Sequence, residues 1–269
     1  MKILYIGDIM GEAGIEVVEN LLPSLRVELD LDLVIAQAEN TTAGKGISLS
    51  DFERLRAAGV DFCTGGNHSL FLKEIHEAMA DPLQPIIRPA NYLSKTVGLG
   101  YKYIDTPDGP VLVISLLGQI VGRDADKPVD NPLQIIDKIL KSEKSNKKVA
   151  VVVNFHGDFS SEKFVIGHYL DGKVSAVIGD HWHTPTADAD ILPGGTAHIT
   201  DVGMCGSLDS SLGVKYSDII PRWHDGRQTK NQLEKEGRMQ FNALLVEIDP
   251  KTAKAIKVKQ IRKIIAPSS

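Results

Sequence analysis

Cysteine is nearly absent from this chain of 269 residues, with only Cys63 and Cys205 present. Two thiols cannot staple a disulfide scaffold, and without thiolate pairs a structural zinc site of the cysteine type is excluded. Cys63, inside the apolar run VDFC, reads as a small buried hydrophobe. Cys205, in the Gly-rich turn after DVGM, receives no role. Long apolar runs are missing too, so no stretch approaches a membrane span. The opening MKILYIGDIMG is not a secretory signal, because its apolar run is short and Asp8 interrupts it. Positive charge is in deficit: 30 Lys and Arg stand against 35 Asp and Glu, a net charge of -5. That argues against a nucleic-acid binder held by a broad basic surface, and leaves room for a small nucleotide substrate. Internal repeats and low-complexity linkers are lacking as well. The expectation is a cytoplasmic protein with one domain over residues 1–269.

What is present is an alternation of short apolar runs with longer amphipathic ones, which predicts an α/β fold. Strands are expected at KILYIGD, LDLVIAQA, VDFCTGG, PIIRPA, GYKYIDT, PVLVISLLG, KVAVVVNF, VSAVIG, TAHITDVG, NALLVEIDP and KAIKVKQIRKI. GYKYIDT and PVLVISLLG flank a Pro-Asp-Gly turn and predict an antiparallel hairpin, so the sheets should be mixed. Helices are expected near 12–29, 50–59, 70–80, 131–143 and 160–170, with Pro23 splitting or kinking the first. Ser50 and Glu53 form a capping-box pattern closed by Gly59, and Asn131-Pro132 is a helix start. KSEKSNKK reads as a solvated turn. Region 206–240 is poor in apolar periodicity and reads as a loop or cap over one edge.

Polar residues collect where the strands stop. Asp8 follows ILYIG, Glu39 and Asn40 follow LVIAQA, and Asn67 and His68 follow DFCTGG. His156 ends VAVVVNF, and His181 and His183 follow SAVIG. Singly, each has a plain role: Asp8 a helix cap, Glu39-Asn40 an exposed turn, Asn67 a tight turn, His156 a satisfied strand end, the H-x-H a surface pair. Jointly they are harder to dismiss, because ligands in α/β sheets bind beyond the carboxyl ends of strands. In extended geometry His181 and His183 would also point to one side. Mixed imidazole, carboxylate and amide donors suit iron, manganese or zinc. Two carboxylates, two amides and at least three imidazoles are too many for one tetrahedral or facial site, and a carboxylate can bridge two cations. Such a pair clamps the attacking and leaving oxygens in phosphoryl transfer. Asp180 reads as a surface turn residue or, if the chain turns at Gly179-Asp180, as an acceptor orienting an imidazole of the pair.

The order GD, EN, GNH, FH and H-x-H resembles the calcineurin-like metallophosphoesterases, and more narrowly the YmdB-type bacterial branch, similar to 2′,3′-cyclic-nucleotide phosphodiesterases. PIIRPANY, SSEKFVIGHYLDGKVSAVIG, ILPGGTAHITDVGM and ALLVEIDPKTAKAIKVKQI extend the likeness over nearly the whole chain. The resemblance implies two mixed sheets packed face to face with helices on the outer faces. It also implies two metal ions per chain, iron first and manganese or zinc as alternatives. Asp8, Glu39, Asn40 and His183 would hold one ion; Glu39, Asn67, His156 and His181 the other. His68 would not bind metal but would protonate the leaving oxygen. The D-x-H histidine of the broad superfamily is missing here, where Ile9-Met10 follow Asp8. The family also favours a small polar residue where this chain has Asp180 and Trp182, a Trp-Asp pair where it has SLFLKE, and Ala-Glu where it has Gly157-Asp158.

The implied chemistry is attack of a water or hydroxide lying between the ions on a phosphodiester, with a 2′,3′-cyclic nucleotide as the expected substrate and RNA-derived oligonucleotides as further candidates. His68 serves as general acid. The rival readings are a phosphomonoesterase using the same ions, and a regulatory protein that binds metal and nucleotide with little turnover. Arg88 and Arg123 are available for phosphate but stand outside this site. Tyr92 and Trp182 could stack on a base, with packing at a loop as the simpler role. The family likeness adds a homo-oligomer as the expected assembly.

Overall fold

The computed structural model describes residues 1–121 and 128–267. In chain order its elements are β1 Lys2–Ile6, β2 Asp8–Ile9, α1 Gly11–Leu29, β3 Leu33–Gln37, α2 Leu49–Ala58, β4 Phe62–Thr64, α3 His76–Ala80, β5 Tyr101–Thr106, β6 Gly109–Leu117 and α4 Pro132–Ser142. They continue with β7 Ala150–His156, α5 Ser160–Tyr169, β8 Ala176–Asp180, β9 Asp190–Ile191, β10 Ala197–Ile199, β11 Met204–Ser207, α6 Tyr216–Asp225, β12 Met239–Asp249 and β13 Lys254–Ile265.

Among the described residues these strands form two mixed sheets. The first runs β2-β11-β12-β1-β3-β4 with β13 also on β12; the second runs β5-β6-β7-β8-β10-β9. β1, β3 and β4 are parallel, as are β6, β7, β8 and β10, so within each set the carboxyl ends lie on one side. The expected β5–β6 hairpin forms, with Thr106 opposite Gly109.

The central strands are apolar on both faces, and their parity sorts the side chains into layers. Ile3, Tyr5, Leu33 and Ile35 of the first sheet pack against Val111, Val113, Val152 and Ile178 of the second. Their neighbours Leu4, Ile6, Val34 and Ala36 turn outward onto Ile15, Val18 and Leu22 of α1 and Phe52 and Leu55 of α2. On the other side Leu112, Ile114, Val151 and Val153 meet Ile136 and Ile139 of α4 and Ile166 of α5. The molecule is therefore layered helix–sheet–sheet–helix, the arrangement implied by the resemblance.

Four local expectations need correction. Pro23 does not split α1, which runs unbroken through it. It sits on the solvent face, where water can serve the carbonyl left without a donor, while Leu22 and Leu25 stay buried. The cap of α2 is Ser48 rather than Ser50, its Oγ accepting from Asp51 N at 3.0 Å. Ile47 before the cap and Phe52 four residues into the helix are buried in the same cluster, so a hydrophobic staple sets the start. PIIRPA forms no strand beyond a bridge between Ile86 and Cys63, because Pro85 and Pro89 remove donors on either side. The helix expected over 70–80 is only a 3-10 turn at Lys73–Ile75 followed by α3. Gly59 and Asn131 cap as expected. Among the described residues no helix is long and apolar enough to cross a membrane.

Candidate active site

Because β1, β3 and β4 face β7 and β8 across the inter-sheet layer, the residues after them meet at one rim. Asp8, Glu39, Asn40, Asn67 and His156 are buried there, while His68, His181 and His183 border a cleft of about 480 Å³. Gly66 makes this approach possible: a Cβ on it would lie 2.3 Å from Cδ2 of His156.

The polar residues fall into two groups. In one, His183 Nε2 lies 3.7 Å from Asp8 Oδ1 and 3.3 Å from Asn40 Nδ2, and that amide nitrogen donates to Asp8 Oδ1 at 3.3 Å. In the other, His156 Nε2 lies 3.0 Å from Asn67 Oδ1 and 3.0 Å from Glu39 Oε1, and the His181 ring packs edgewise on His156 with centroids 4.5 Å apart. Glu39 lies between His156 and His68. Its Oε2 accepts from the His68 backbone N at 2.8 Å, and its Oε1 is 3.7 Å from His68 Nδ1. His68 Nδ1 also pairs with Asn40 Oδ1 at 2.7 Å.

The two histidines of DHWH do not share a side by strand alternation. β8 ends at Asp180, and His181 and His183 both adopt left-handed backbone, with φ of 99° and 60°. The turn comes one residue later than the expected Gly179-Asp180. It sends His181 to His156 and His183 to Asp8. Several bonds hold this unfavourable backbone in place. His181 N donates to Asp8 Oδ2 at 3.1 Å and Trp182 N to Asp201 Oδ2 at 2.8 Å. Beneath them the fully buried Lys163 of α5 donates to Asp180 O at 2.6 Å and to Asp201 Oδ2 at 2.8 Å.

Asp180 is not a surface turn residue. It is fully buried and stands opposite His156 in the β7–β8 register. Its Oδ1 accepts from His156 Nδ1 at 2.6 Å, and its Oδ2 from Tyr5 OH at 2.7 Å, Asn154 Nδ2 at 2.5 Å and Gln37 Nε2 at 3.2 Å. It orients an imidazole, but that of His156 and not that of its neighbour His181. The remote nitrogens of the other two rings are held as well. His181 Nε2 faces Asp158 Oδ1 at 3.2 Å, and His183 Nδ1 donates to Leu212 O at 3.1 Å. Each ring therefore keeps its other nitrogen for the site: Nε2 of His156 and His183, Nδ1 of His181.

The electrostatics show a site short of positive charge. Burial alone would raise the Glu39 carboxyl, but His156 and His68 hold it down at about 2. Burial likewise opposes ionisation of Asp8, and His183 and His156 outweigh it, holding that carboxyl far below the usual range. The reciprocal effect acts on His156: burial favours its neutral form, while Glu39 and Asp180 push it well above its ordinary value. A neutral imidazole donates from one nitrogen only, yet both nitrogens of His156 face oxygen acceptors. Glu39 Oε1, although 3.0 Å from His156 Nε2, is buried without a properly directed hydrogen bond. A cation among Glu39, His156 and His181 resolves all of this, and the donor atoms of those three lie within 4.8 Å of one another. Asp8, His156 and Asp180 form a second such group, although Asp180 already serves four donors. The residues present thus fit metal ions. Asn40 fits only with its amide reversed, since Nδ2 now faces Asp8 and a ligand needs Oδ1 there.

All eight residues expected from the sequence are assembled here. Arg88 is not a phosphate contact; its guanidinium is spent on the carbonyls of Pro89, Thr96 and Val97. Arg123 lies outside the described residues. Tyr92 is buried, which leaves Trp182 as the aromatic on the cleft. Sequence reading marked Asp158 only as a departure from the family pattern and missed Tyr5, Gln37, Asn154, Lys163 and Leu212. A signal existed for two of them, as Gln37 and Asn154 are amides inside otherwise apolar strands.

Residues 4–261 match the family described as YmdB-like protein. A Bacillus subtilis (strain 168) protein named 2′,3′-cyclic-nucleotide 2′-phosphodiesterase is 35% identical over 261 residues, spanning 97% of this chain and 96% of that one. The crystal structure of a Mycoplasma pneumoniae protein described as a novel phosphatase superposes with a TM-score of 0.91 at 32% identity, covering 99% of this chain and 94% of the other. A hypothetical protein from Thermus thermophilus superposes with a TM-score of 0.89 at 34% identity, covering 98% and 100%. The matched span takes in all the strand-end residues and the fold is shared with these structures: the chain belongs to the YmdB-like protein family.

Proposed function

We propose that this protein is a metal-dependent phosphodiesterase with two ions per chain, and that 2′,3′-cyclic nucleotides are its substrate class. One observation carries the reading: Glu39, His156 and His181 bring their donor atoms within 4.8 Å of one another, Asp8 lies equally close to His156 on its other side, and His68 is bonded to Glu39. The names of the relatives support the phosphoester chemistry.

Asp8, Glu39, Asn40 and His183 would hold one ion and Glu39, Asn67, His156 and His181 the other, with iron, manganese or zinc suited to such donors. When bound, the ions supply charge neutralisation for phosphoryl oxygens and an activated water. The chain does the rest. Asp180, Asp158 and the Leu212 carbonyl fix the three imidazoles in the tautomers that leave one nitrogen for the site. His68, held through its backbone N–H by Glu39 Oε2, borders the cleft and as imidazolium donates a proton to the departing oxygen. From region 206–240, Leu212 reaches the rim of the cleft.

The test is elemental analysis of the purified protein, followed by hydrolysis of 2′,3′-cyclic nucleotides and of matched nucleoside monophosphates. About two equivalents of metal and turnover of the cyclic diesters are expected. Turnover of monoesters alone, or a metal-free active protein, would reject the reading.

A further inference from the structure

Trp182 stands between the two histidines, and three anchors fix its indole. Its backbone N–H donates to Asp201 Oδ2 at 2.8 Å, and its Nε1–H donates to Asp158 O at 2.9 Å. Lys163 Nζ lies 4.1 Å from the ring centroid. That ammonium cannot withdraw to solvent, because Lys163 is fully buried and bonded to Asp180 O and Asp201 Oδ2. It occupies one face of the ring. What remains of the half-buried indole borders the cleft beside His68, His181 and His183.

The other groups on this wall are mostly polar: Asn40, Asp158, Thr184 and the histidines, with Leu212 as the other large apolar side chain. Such groups suit a phosphate and its metals. A planar ligand part needs a flat apolar surface, and here one is held still, so little ordering cost remains on binding. The volume of about 480 Å³ is within the range of small-ligand pockets.

We infer that Trp182 is a specificity-determining residue, a stacking surface for the base of the nucleotide. The inference rests on the phosphodiesterase reading only for the identity of the substrate. Stacking tolerates any base, so the site should separate nucleotides from base-free esters more sharply than it separates one base from another.

The chain has two tryptophans, and Trp223 is an exposed residue of α6, so Trp223→Phe leaves Trp182 as the sole indole reporter. The metal-loaded variant is titrated with adenosine 3′-monophosphate and with ribose 5-phosphate while indole fluorescence is followed. Saturable quenching by the nucleotide and none by the sugar phosphate is expected. In kinetics, Trp182→Ala should raise KM for 2′,3′-cyclic AMP by about 5–100-fold. It should leave KM for ribose 2′,3′-cyclic phosphate unchanged, and Trp182→Phe should restore most of the loss. Absent quenching, equal quenching by both ligands, or equal loss on both esters overturns the stacking role. Quenching without hydrolysis of either ester would instead reject the phosphodiesterase reading and keep the stacking surface.

Discussion

His156 and Asp180 occupy opposed positions on the parallel strands β7 and β8, and His156 Nδ1 donates to Asp180 Oδ1 across the pair at 2.6 Å. The same carboxylate ties Tyr5 of β1 and Gln37 of β3 from the facing sheet. One buried side chain therefore joins the inter-sheet core to the imidazole on which the cluster is built.

Asp180→Asn tests this. All four partners of the carboxylate are donors, so an amide puts its NH2 against at least one of them. A cost of about 1–3 kcal/mol in stability is expected. Metal affinity should fall by about 10–100-fold because His156 loses its orienting charge. Thermal unfolding and metal retention against a competing chelator measure the two effects. A variant that holds metal like the wild type would remove the role of Asp180.

In the proposed ligand sets Glu39 serves both ions, so Glu39→Gln should lower occupancy of both ions together. Asp8→Asn, by contrast, should deplete the Asp8–Asn40–His183 side first. Elemental analysis of both variants decides this, and full metal content without Glu39 would refute a shared ligand.

His68→Ala should cost on the order of 10²–10⁴ in turnover of a natural ester while leaving metal content intact. An ester with a very acidic leaving alcohol needs no proton and should be largely spared. Equal losses on both esters would take the general acid away from His68.

Burial pushes both thiols, Cys63 and Cys205, up to about 12 from an ordinary 9. Neither should react with a thiol reagent in the native protein, and both should react on unfolding. The sign for stability follows from linkage. Between about pH 9 and pH 12 the unfolded chain releases thiol protons that the folded one keeps, so stability contributed below pH 9 is lost as pH rises through that window. Fast labelling under native conditions would contradict the burial.

By itself the sequence determined the α/β class, the hairpin, most helix positions and the eight polar residues at strand ends. These follow from local periodicity and from one general constraint, that parallel strands bring their carboxyl ends to one rim. The pairing of groups inside the site was decided only by tertiary structure. Asp180 adjoins His181 in the chain, yet strand register places it against His156, and a shift of one residue would reverse its face. The divergence of His181 and His183 depends on left-handed backbone held by Asp8, Asp201 and Lys163, contributed by three distant segments. Periodicity reports which face of its own element a residue occupies. Which residue it meets across the sheets depends on register, twist and packing summed over the whole fold.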